Sequence, residues 1–473
     1  MKKKIGITCT TVFHYVHFSG IANELKSKGY EVEYVIYTPY HINERVQRLL
    51  EVFEKNNVAY CGFEKLFDKT AKFDALLAPY YMPGFQLLDK DLIKIRGLYG
   101  YAKDSWNYAE WNKGFDLVLS YGPYATKRLS KHTKVENIGH PRLIGNYLSE
   151  VIDISGKCLN IERLQGKNTL VYCPTWADLS SLDVFVENAL VLTKEFNLIV
   201  KLHHGNVLSG ENAKWDSLKE IPNLYLYDEY TNLFDLLQFA DIILSDYSGA
   251  IFDAMLFKKP IVLLDVIDEE IVDTGSINLN KMANISLYNN ADLSNKSLDI
   301  QIRDILPHVK DFDLLLPTLI NSLNKPITYL PLLDELYEYQ DSLANTRAEK
   351  AIDGLIRSGK TQLDTDESFH ILDEKQIEEF LLRNEQELYV WGAGLSGQII
   401  TAWFKGRNIP IDKLMDTDKV KQGKRFMEYT IEEPIVKKGI IITVTGSGLK
   451  AIRNICTAAG LVEGIDFISI FKE

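Results

Sequence analysis

The chain has 473 residues, which predicts roughly two to four domains. Its net charge of −12 argues against nucleic acid as a partner, because nucleic-acid binding favours a basic surface. No stretch is apolar and long enough to span a bilayer, and the five scattered cysteines argue against a zinc site or a disulfide framework. Residues 2–4 are lysines, but the short threonine-rich run after them favours a first strand over an export signal. We therefore expect a cytoplasmic α/β protein without a bound metal.

Strands and helices alternate over residues 1–150. We predict a helix at 21–28, closed by a glycine, and strands at 5–8, 31–37, 74–78 and 116–120. Such alternation predicts a parallel sheet with helices on both faces. We assign residues 1–150 to an N-terminal Rossmann-like domain on the acceptor side of a cleft.

Residues 14–20 are predicted to form a loop after the first strand, and they include His14, His17 and Ser19. A histidine that faces a cleft is suited to general-base catalysis near neutral pH. Local hydrogen bonding by loop histidines is an equally good interpretation. The roles of His14 and His17 are therefore left open by this pattern.

The segment 99–111 is unusually aromatic and also contains Lys103, Asp104 and Glu110. Buried aromatic packing is the favoured interpretation. The alternative is a platform for the acceptor, because tyrosine and tryptophan offer a flat face and a polar tip. Arg142 follows in a turn after a predicted strand end. Its guanidinium is a candidate for two parallel hydrogen bonds to a phosphate.

A second alternating unit covers residues 151–330, which we predict to be a Rossmann-like domain that binds the nucleotide donor. Four loops follow its predicted strands, at 174–176, 203–205, 228–230 and 246–248. The carboxyl ends of parallel strands share one edge of a sheet, so these loops should meet at one crevice. They bring Thr175, His203, His204 and Asp246 there, a set that suits a nucleotide diphosphate.

Residues 240–265 have the pattern of a strand, a polar turn, a helix and a second strand. Ser248 is predicted to cap the helix, and Gly249 would let a ligand approach the backbone. The first free amides of the helix and its dipole favour an anion. We therefore interpret the turn as a phosphate cradle, rather than as a capped helix after a core strand.

The end of the chain is predicted to hold a helical return segment and linker, residues 331–386, and a small Rossmann-like domain, residues 387–473. A G-x-G-x-x-G pattern follows a predicted strand of that domain, at Gly392, Gly394 and Gly397. Asp416 lies about 20 residues further on, where an acid that binds ribose would stand. A nucleotide or dinucleotide is one expectation for this domain, and a tight structural turn is the other. We expect transfer activity to survive its deletion.

Three segments of the second unit carry recognisable motifs, namely YCPTW at 172–176, LIVKLHHG at 198–205 and ADIILSDYSGAIFDAMLFKKPIVLLD at 240–265. Together with the turn at 139–142 and the segment at 345–347, they resemble the CDP-glycerol glycerophosphotransferase family of teichoic acid and capsule polymer synthesis. The resemblance spans roughly residues 100–358. It implies a GT-B fold, a CDP-activated polyol donor and transfer of a phosphopolyol unit to a growing polymer at the inner face of the membrane.

The resemblance assigns roles position by position. His203 matches the histidine of the family's K-x-H-P segment, with His204 in place of the proline. Ser248 and Asp253 match the hydroxyl and the acid of its D-Y-S-S-x-x-F-D segment, with Gly249 in place of the second serine. These positions would contact the pyrophosphate and the polyol or ribose of the donor.

The first domain departs from the family pattern. Members carry a W-H-G-T segment whose histidine is held to be the base, whereas residues 96–100 of this chain contain no histidine. The substitutes are His14, His17, Asp104 and Glu110. Together with His203, we take His17 and Asp104 as the catalytic candidates, and the base stays undecided.

The leading hypothesis is a transferase that moves a glycerol phosphate-like unit from a CDP-activated donor to a polysaccharide or teichoic-acid-type acceptor. Helix amides near Ser248, with His203 and Arg142, would stabilise charge on the phosphates in place of a metal. The expected partners are the donor and a polysaccharide or lipid-linked acceptor, with peripheral contact at the inner face of the membrane. The sequence fits a monomer or an oligomer.

Two alternatives use the same fold. The first is a GT-B glycosyltransferase, or a nucleotide-sugar epimerase, that acts on a UDP- or CMP-sugar. The second is a nucleotide-binding scaffold of a polysaccharide synthesis complex, in which the last domain serves for docking or sensing. Release of CMP, release of UDP, or binding without turnover would distinguish the three.

Overall fold

A computed structural model describes residues 2–38, 43–164, 166–176, 179–208, 215–265, 297–360, 374–384 and 387–471. Within these residues the strands form three large sheets and one two-stranded ribbon. No helix in the described ranges is long and apolar enough to cross a membrane.

The first sheet has seven parallel strands. In chain order they are β1 (Lys4–Cys9), β2 (Glu31–Ile36), β3 (Tyr60–Gly62), β4 (Ala75–Ala78), β5 (Ile93–Gly97), β6 (Leu117–Ser120) and β7 (Val135–Asn137). Their spatial order is β3-β2-β1-β4-β5-β6-β7. Every residue of β4 and β6 is buried, as expected for parallel strands covered by helices on both faces.

A short antiparallel ribbon, β8 (Val151–Ile152) with β9 (Cys158–Leu159), precedes the second sheet. The second sheet contains β10 (Asn168–Cys173), β11 (Phe196–Lys201), β12 (Leu224–Tyr227), β13 (Ile242–Ser245), β14 (Ile261–Leu264) and β15 (His308–Val309). These strands are parallel and lie in the order β12-β11-β10-β13-β14-β15. The strand order reverses between β10 and β13, where open α/β sheets bind ligands.

The third sheet contains β16 (Tyr389–Trp391), β17 (Lys413–Met415), β18 (Arg425–Phe426), β19 (Tyr429–Glu432), β20 (Ile440–Ile442) and β21 (Phe467–Ser469). Its order is β18-β19-β17-β16-β20-β21, and only the β18–β19 pair is antiparallel among the described pairings. The strand order again reverses beside the strand that leads into the G-x-G-x-x-G turn.

Helices cover the faces of these sheets. In chain order they are α1 (Val12–Ser27), α2 (Asn43–Lys55), α3 (Glu64–Phe67), α4 (Asp104–Asn107), α5 (Pro123–Leu129), α6 (Leu182–Leu192), α7 (His204–Leu208), α8 (Leu233–Leu237), α9 (Ala250–Met255), α10 (Leu298–Gln301), α11 (Leu315–Leu323), α12 (Leu330–Leu336), α13 (Ala344–Ser358), α14 (Glu374–Arg383), α15 (Leu395–Gly406) and α16 (Gly446–Ala458).

Helix α1 corrects the prediction of a loop at residues 14–20, because it begins at Val12. His14, His17, Ile21 and Leu25 are all buried and recur every three or four residues, which is the spacing of one helix face. Two of these four core positions are histidines, so the apolar periodicity is interrupted in the sequence. The structure thus places both histidines on a packed helix instead of a cleft loop.

Helix α13 returns the chain from the second unit to the first and packs against α1. The Nδ2 of Asn345 donates to the carbonyl of Pro141 at 3.1 Å. Asn345 also occupies the space beside Gly20, where a Cβ would lie 2.4 Å from that same Nδ2. The absence of a side chain at Gly20 therefore permits the close approach of the two helices.

The C-terminal unit shares one hydrophobic core with the first unit. Phe63 stacks on Phe426, with ring centroids 6.1 Å apart and an interplanar angle of 8°. Helix α15 lies against α3 so closely that a Cβ on Gly406 would be 2.3 Å from the carbonyl oxygen of Phe67. Removal of the unit would uncover apolar side chains of the first unit, while the survival of transfer activity after its deletion stays a prediction.

Candidate active site

A cavity of about 670 Å³ lies where the carboxyl ends of the first two sheets face each other. The first unit lines it with residues that follow β1, β2, β4 and β5, and the second unit with residues that follow β10, β11, β12 and β13. Two Rossmann-like units that face a common cleft in this way form the GT-B arrangement, as the sequence predicts. The lining residues used below are Thr10, Phe13, His14, Tyr80, Tyr99, Lys103, Trp106, Arg142, Thr175, Trp176, Lys201, His203, His204, Gly205, Glu229, Ser248, Gly249, Asp253 and Leu395.

Among the described residues, three cations line this cavity, namely Lys103, Arg142 and Lys201. Burial lowers the pKa of Lys201 to about 8, although Asp228 favours its charged form. Burial also lowers the pKa of Lys103, against the attraction of Asp299. A cationic cavity of this kind is suited to a ligand with several negative charges, because an anion would restore the solvation that the lysines lose on burial.

Arg142 and Asp253 are bound to each other, which revises their predicted roles as separate ligands of the donor. The Nη2 of Arg142 donates to Oδ2 of Asp253, and the Nε2 of His140 donates to Oδ1 at 3.1 Å. Burial raises the pKa of Asp253, but Arg142 and His140 together hold it below its usual value. The Nε of Arg142 has no hydrogen-bond partner among the described residues, so this atom is still available to a phosphate.

His203 lies in the cavity as the sequence predicts, and its hydrogen bond defines its tautomer. The amide of Gly205 donates to its Nδ1 at 3.0 Å, so the proton of the neutral ring is on Nε2. Burial lowers the pKa of His203 to about 3, which keeps the ring neutral. His203 is therefore a hydrogen-bond donor. The neighbouring His204 stacks on Phe13 across the cleft, with ring centroids 5.4 Å apart.

Asp246 is fully buried and does not line the cavity. Its carboxylate accepts from the amide of Thr175 at 2.7 Å, and from the amide and the hydroxyl of Ser181 at 2.9 Å each. Asp246 thus holds the loop after β10 in place. Of Asp246 and Thr175, only Thr175 lines the cavity. The predicted ligand role of Asp246 is replaced by a positioning one.

Ser248 and Gly249 line the cavity. Most of the helix amides expected to bind an anion there already donate hydrogen bonds within the turn. The hydroxyl of Ser248 accepts from the amide of Ala250 at 3.3 Å. The amides of Ile251 and Phe252 donate to the carbonyls of Ser248 and Gly249. Among the described residues, the groups that remain for an anion are therefore mainly the three cations and His203.

The remaining catalytic candidates are less favourably placed. His17 is fully buried and outside the cavity lining, and its Nε2 donates to the carbonyl of Leu98 at 3.0 Å. Asp104 is ion-paired to Arg128 at 3.5 Å and accepts from the hydroxyl of Tyr124 at 2.5 Å, also away from the cavity lining. Neither group contacts the ligand space in this structure, so neither fits the role of a base.

His14 lines the cavity from α1. Its Nδ1 accepts from the amide of Thr10 at 3.2 Å, which places the proton of the neutral ring on Nε2. Burial lowers the pKa of His14 to about 3. His14 and His203 therefore share one chemistry, that of a neutral imidazole which donates a hydrogen bond.

Sequence reasoning did not select Lys201 or Glu229. Lys201 is the last residue of β11, and Glu229 follows β12 by two residues. The signal that would have found them is a charged residue at the carboxyl end of an apolar strand. Such a residue faces the ligand edge of a parallel sheet.

The turn of the C-terminal unit is used internally. Gly392 has φ +118°, and a Cβ on Gly397 would lie 1.7 Å from the carbonyl oxygen of Gly392. Asp416 accepts from the amide of Ala393 at 2.7 Å and from Lys421 at 3.0 Å through the same Oδ2. A dinucleotide would need this carboxylate for its ribose, so the residues do not fit that cofactor and favour a structural turn.

The C-terminal unit contributes Leu395 to the lining of the cleft cavity. The described part of the chain contains no group of three or more histidine, cysteine, aspartate or glutamate side chains placed to hold a metal ion.

The fold and the cleft define a GT-B-type protein, and comparison with protein families places it further. Residues 116–269 match the family model described as CDP-Glycerol:Poly(glycerophosphate) glycerophosphotransferase. The match confirms, over this segment, the resemblance seen in the sequence. The match includes Arg142, Lys201, His203, Glu229 and Asp253.

Two curated relatives are teichoic acid enzymes of Bacillus. The teichoic acid glycerol-phosphate primase of Bacillus subtilis (strain 168) is 32% identical over 139 residues, which cover 28% of this chain and 33% of that protein. The teichoic acid poly(glycerol phosphate) polymerase of Bacillus spizizenii (strain ATCC 23059 / NRRL B-14472 / W23) is 26% identical over 175 residues, or 33% of this chain and 42% of that protein. The chain thus spans less than half the length of either relative.

Solved structures show weaker likeness. The wall teichoic acid polymerase TagF matches with a TM-score of 0.48 and 11% identity, over 75% of this chain and 89% of that one. The UDP-GlcNAc 2-epimerase of Methanocaldococcus jannaschii matches with a TM-score of 0.44 and 12% identity, over 76% of this chain and 100% of that one. Scores below 0.5 carry no argument about function.

Proposed function

We propose that the chain transfers a phosphopolyol unit, such as glycerol phosphate, from a CDP-activated donor to a hydroxyl of a cell-surface polymer. The observation that carries the proposal is the cavity where Lys103, Arg142 and Lys201 converge from both sheets. A nucleotide diphosphate has the matching negative charge. The family match over residues 116–269 supports the CDP-polyol class of donor.

The pyrophosphate of the donor would lie against the three cations. The free Nε of Arg142 and the Nε2 proton of His203 can donate to its oxygens, in addition to the ammonium groups of Lys103 and Lys201. Transfer requires attack of an acceptor hydroxyl on the β-phosphorus, with CMP as the leaving group. Preorganised donors lower the barrier because they stabilise charge on the phosphates without reorganisation.

Aromatic side chains of the first unit, Tyr80, Tyr99 and Trp106, form one wall of the cavity. Tyr80 contacts Trp106 edge to face, with centroids 5.5 Å apart. Such faces suit the carbon skeleton of a polyol or a sugar, while their polar tips reach hydroxyl groups. We assign the acceptor to this wall, so part of the aromatic segment 99–111 serves the site, while Tyr101 and Trp111 are buried in cores.

One observation favours a second candidate, a glycosyltransferase that uses a UDP- or CMP-sugar. At the place of the family's W-H-G-T segment, the side chain of Arg96 is fully buried and donates to the carbonyls of Pro79 and Asn107. The segment at residues 96–100 therefore has a structural role in this chain, through the hydrogen bonds of Arg96. A different acceptor chemistry would account for that change.

The acceptor is proposed to be lipid-linked or a polysaccharide, reached by peripheral contact with the membrane. A scaffold without turnover is the outcome if donors bind and no product forms.

Thermal stabilisation by CDP, CMP and UDP, followed by an assay of nucleotide release from CDP-glycerol and a UDP-sugar, tests the proposal. We expect stabilisation by CDP and release of CMP that depends on an acceptor. Stabilisation by UDP with release of UDP would establish the second candidate instead. Lys201→Met should reduce the shift with CDP, and Lys405→Met, which breaks an exposed pair with Glu428, is the matched control.

A further inference from the structure

We propose that Glu229 is the general base that takes the proton of the acceptor hydroxyl. The inference rests on the proposed transfer and assigns the residue that the sequence leaves open. Glu229 lies in the loop after β12 and lines the cleft cavity. Two lines of elimination and one of electrostatics point to it.

The first elimination concerns histidines. A backbone amide can only donate a hydrogen bond, and such amides donate to Nδ1 of both His14 and His203. Their remaining ring nitrogen, Nε2, therefore carries a proton in the neutral form. Burial keeps the pKa of each at about 3, so neither ring has a free lone pair for a proton at neutral pH.

The second elimination concerns carboxylates. Among the described residues that line the cavity, the acids are Glu229 and Asp253. Both oxygens of Asp253 are bonded, one to His140 and the other to Arg142. Glu229 accepts from Nη1 of Arg48 at 3.3 Å through Oε1 only. Its Oε2 is buried and has no hydrogen-bond partner among the described residues, so this oxygen can receive a proton.

Electrostatics poise this carboxyl group for proton transfer near neutral pH. Burial raises the pKa of Glu229 to about 7, Arg48 and Lys201 restrain the rise, and Asp228 adds to it. About half of the groups are then ionised at neutral pH, close to the optimum for a general base. The adjacent Tyr230 donates from its hydroxyl to Oε2 of Glu51 at 3.4 Å.

The position of Glu229 depends on both units. Arg48 comes from α2 of the first unit and Glu229 from the second, and their ion pair bridges the cleft. The carboxylate is therefore oriented only when the two units face each other. Proton removal by Glu229 would therefore depend on the two units facing each other, which is also the arrangement that holds both the donor and the acceptor.

The step balances without a further reactant. The acceptor oxygen forms a bond to the β-phosphorus as its proton moves to Oε2 of Glu229. The bond between the β-phosphorus and the bridging oxygen breaks, and CMP leaves with that electron pair. Glu229 then releases the proton to solvent, which restores the carboxylate.

The test compares transfer from CDP-glycerol to a glycerol phosphate oligomer on a lipid tail, between pH 5.5 and 8.5, with CMP release as the signal. For the full chain we expect kcat to rise with pH to a plateau, with a midpoint near pH 7. Glu229→Gln should lower the plateau kcat by roughly 10²- to 10⁴-fold and abolish the rising limb. Its KM for CDP-glycerol should change little, since the amide keeps the shape of the side chain.

Two further variants separate catalysis from structure. Arg48→Met removes a cation that lowers the pKa of Glu229, so the midpoint should shift to higher pH, while the plateau kcat should fall much less than in Glu229→Gln. If Glu229 served only to tie the units together, Arg48→Met would lower the plateau as much as Glu229→Gln. His204→Gln tests the remaining cavity histidine, and loss of the rising limb in that variant alone would overturn the inference.

The same experiment distinguishes the base from the donor. If the full chain transfers and Glu229→Gln shows the same kcat and pH profile, Glu229 is not the base and the proposed function stands. If CDP-glycerol neither stabilises the full chain nor yields CMP, the donor assignment fails and the base assignment fails with it. Glu229→Gln should still be stabilised by CDP, which shows that a loss of rate is not a loss of folding.

Discussion

Two turns of this molecule are built alike and serve different ends. One follows β13 and contains Asp246 and Gly249, and the other follows β16 and contains the three glycines of the G-x-G-x-x-G pattern. Each leaves a parallel strand beside the point where the strand order reverses. Each is held by a buried aspartate, Asp246 in the first case and Asp416 in the second, that accepts backbone amides.

The difference lies in what surrounds the turn. The turn after β13 opens on a cavity where three cations converge. In the turn after β16, Gly397 packs on the carbonyl of Gly392, and Lys421 is used to pair Asp416. A sequence motif in its proper strand-to-helix context therefore defines the backbone path. Whether a ligand binds at such a turn depends on the polar and charged groups around it that have no partner within the protein.

The largest effect is expected at the buried pair of the cleft. Arg142→Met leaves the carboxylate of Asp253 buried with only His140 as partner, which should cost about 3–5 kcal/mol of unfolding free energy. The double variant Arg142→Met/Asp253→Asn should recover part of that loss. Chemical denaturation of both proteins measures the difference, and equal losses would show that the pair does not couple.

The second effect tests the structural turn with matched changes. Gly397→Ala places a methyl group 1.7 Å from the carbonyl oxygen of Gly392, so we expect a loss of about 3 kcal/mol. Gly394→Ala meets no atom within 4 Å and should change stability by less than about 0.5 kcal/mol. Thermal unfolding compares the two. Similar stabilities would mean that the turn relaxes freely and that its tightness has another purpose.

The third effect contrasts cations at the two turns. Lys103→Met and Lys201→Met should each raise KM for CDP-glycerol by roughly 10- to 100-fold, from the loss of one charge-assisted contact. Lys421→Met, which removes the partner of Asp416 in the other turn, should leave KM unchanged. Steady-state kinetics decide between them. A similar rise in Lys421→Met would place the C-terminal turn in donor binding after all.

The smallest effect is a change in how stability depends on pH. Burial raises the pKa of Asp246 from 3.8 to about 6, so the folded chain holds this proton more tightly than the unfolded chain. Its contribution favours folding below about pH 4 and is lost as pH rises through about 6. Asp246→Asn should therefore flatten the stability curve between these values. An unchanged slope in urea titrations at several pH values would show that Asp246 does not titrate there.

The second unit could be read from the sequence because its signals are local. Each parallel strand is a short apolar run, and each polar loop after it lies at the same edge of the sheet. That is why Thr175, His203, Ser248 and Gly249 were placed at one site. The helix expected within residues 240–265 also forms, at Ala250–Met255.

The rest depends on contacts between distant parts of the chain. Arg142 and Asp253 are 111 positions apart, and no local pattern indicates that they neutralise each other. The same holds for Glu229, whose partner Arg48 comes from the other unit. The error at α1 has a further cause, since His14 and His17 occupy core positions of a helix, where periodicity leads one to expect apolar residues.

The core shared by the first and last units has a consequence for the order of synthesis. The strands of the first sheet are complete once residue 137 has left the ribosome, yet one face of that unit is covered by side chains that come after residue 387. At roughly 5–20 residues per second, the gap corresponds to about 12–50 s of translation. During that interval aromatic side chains such as Phe63 and Phe67 lack their final neighbours. A nascent chain with such a delayed partner is a natural client for a ribosome-associated chaperone.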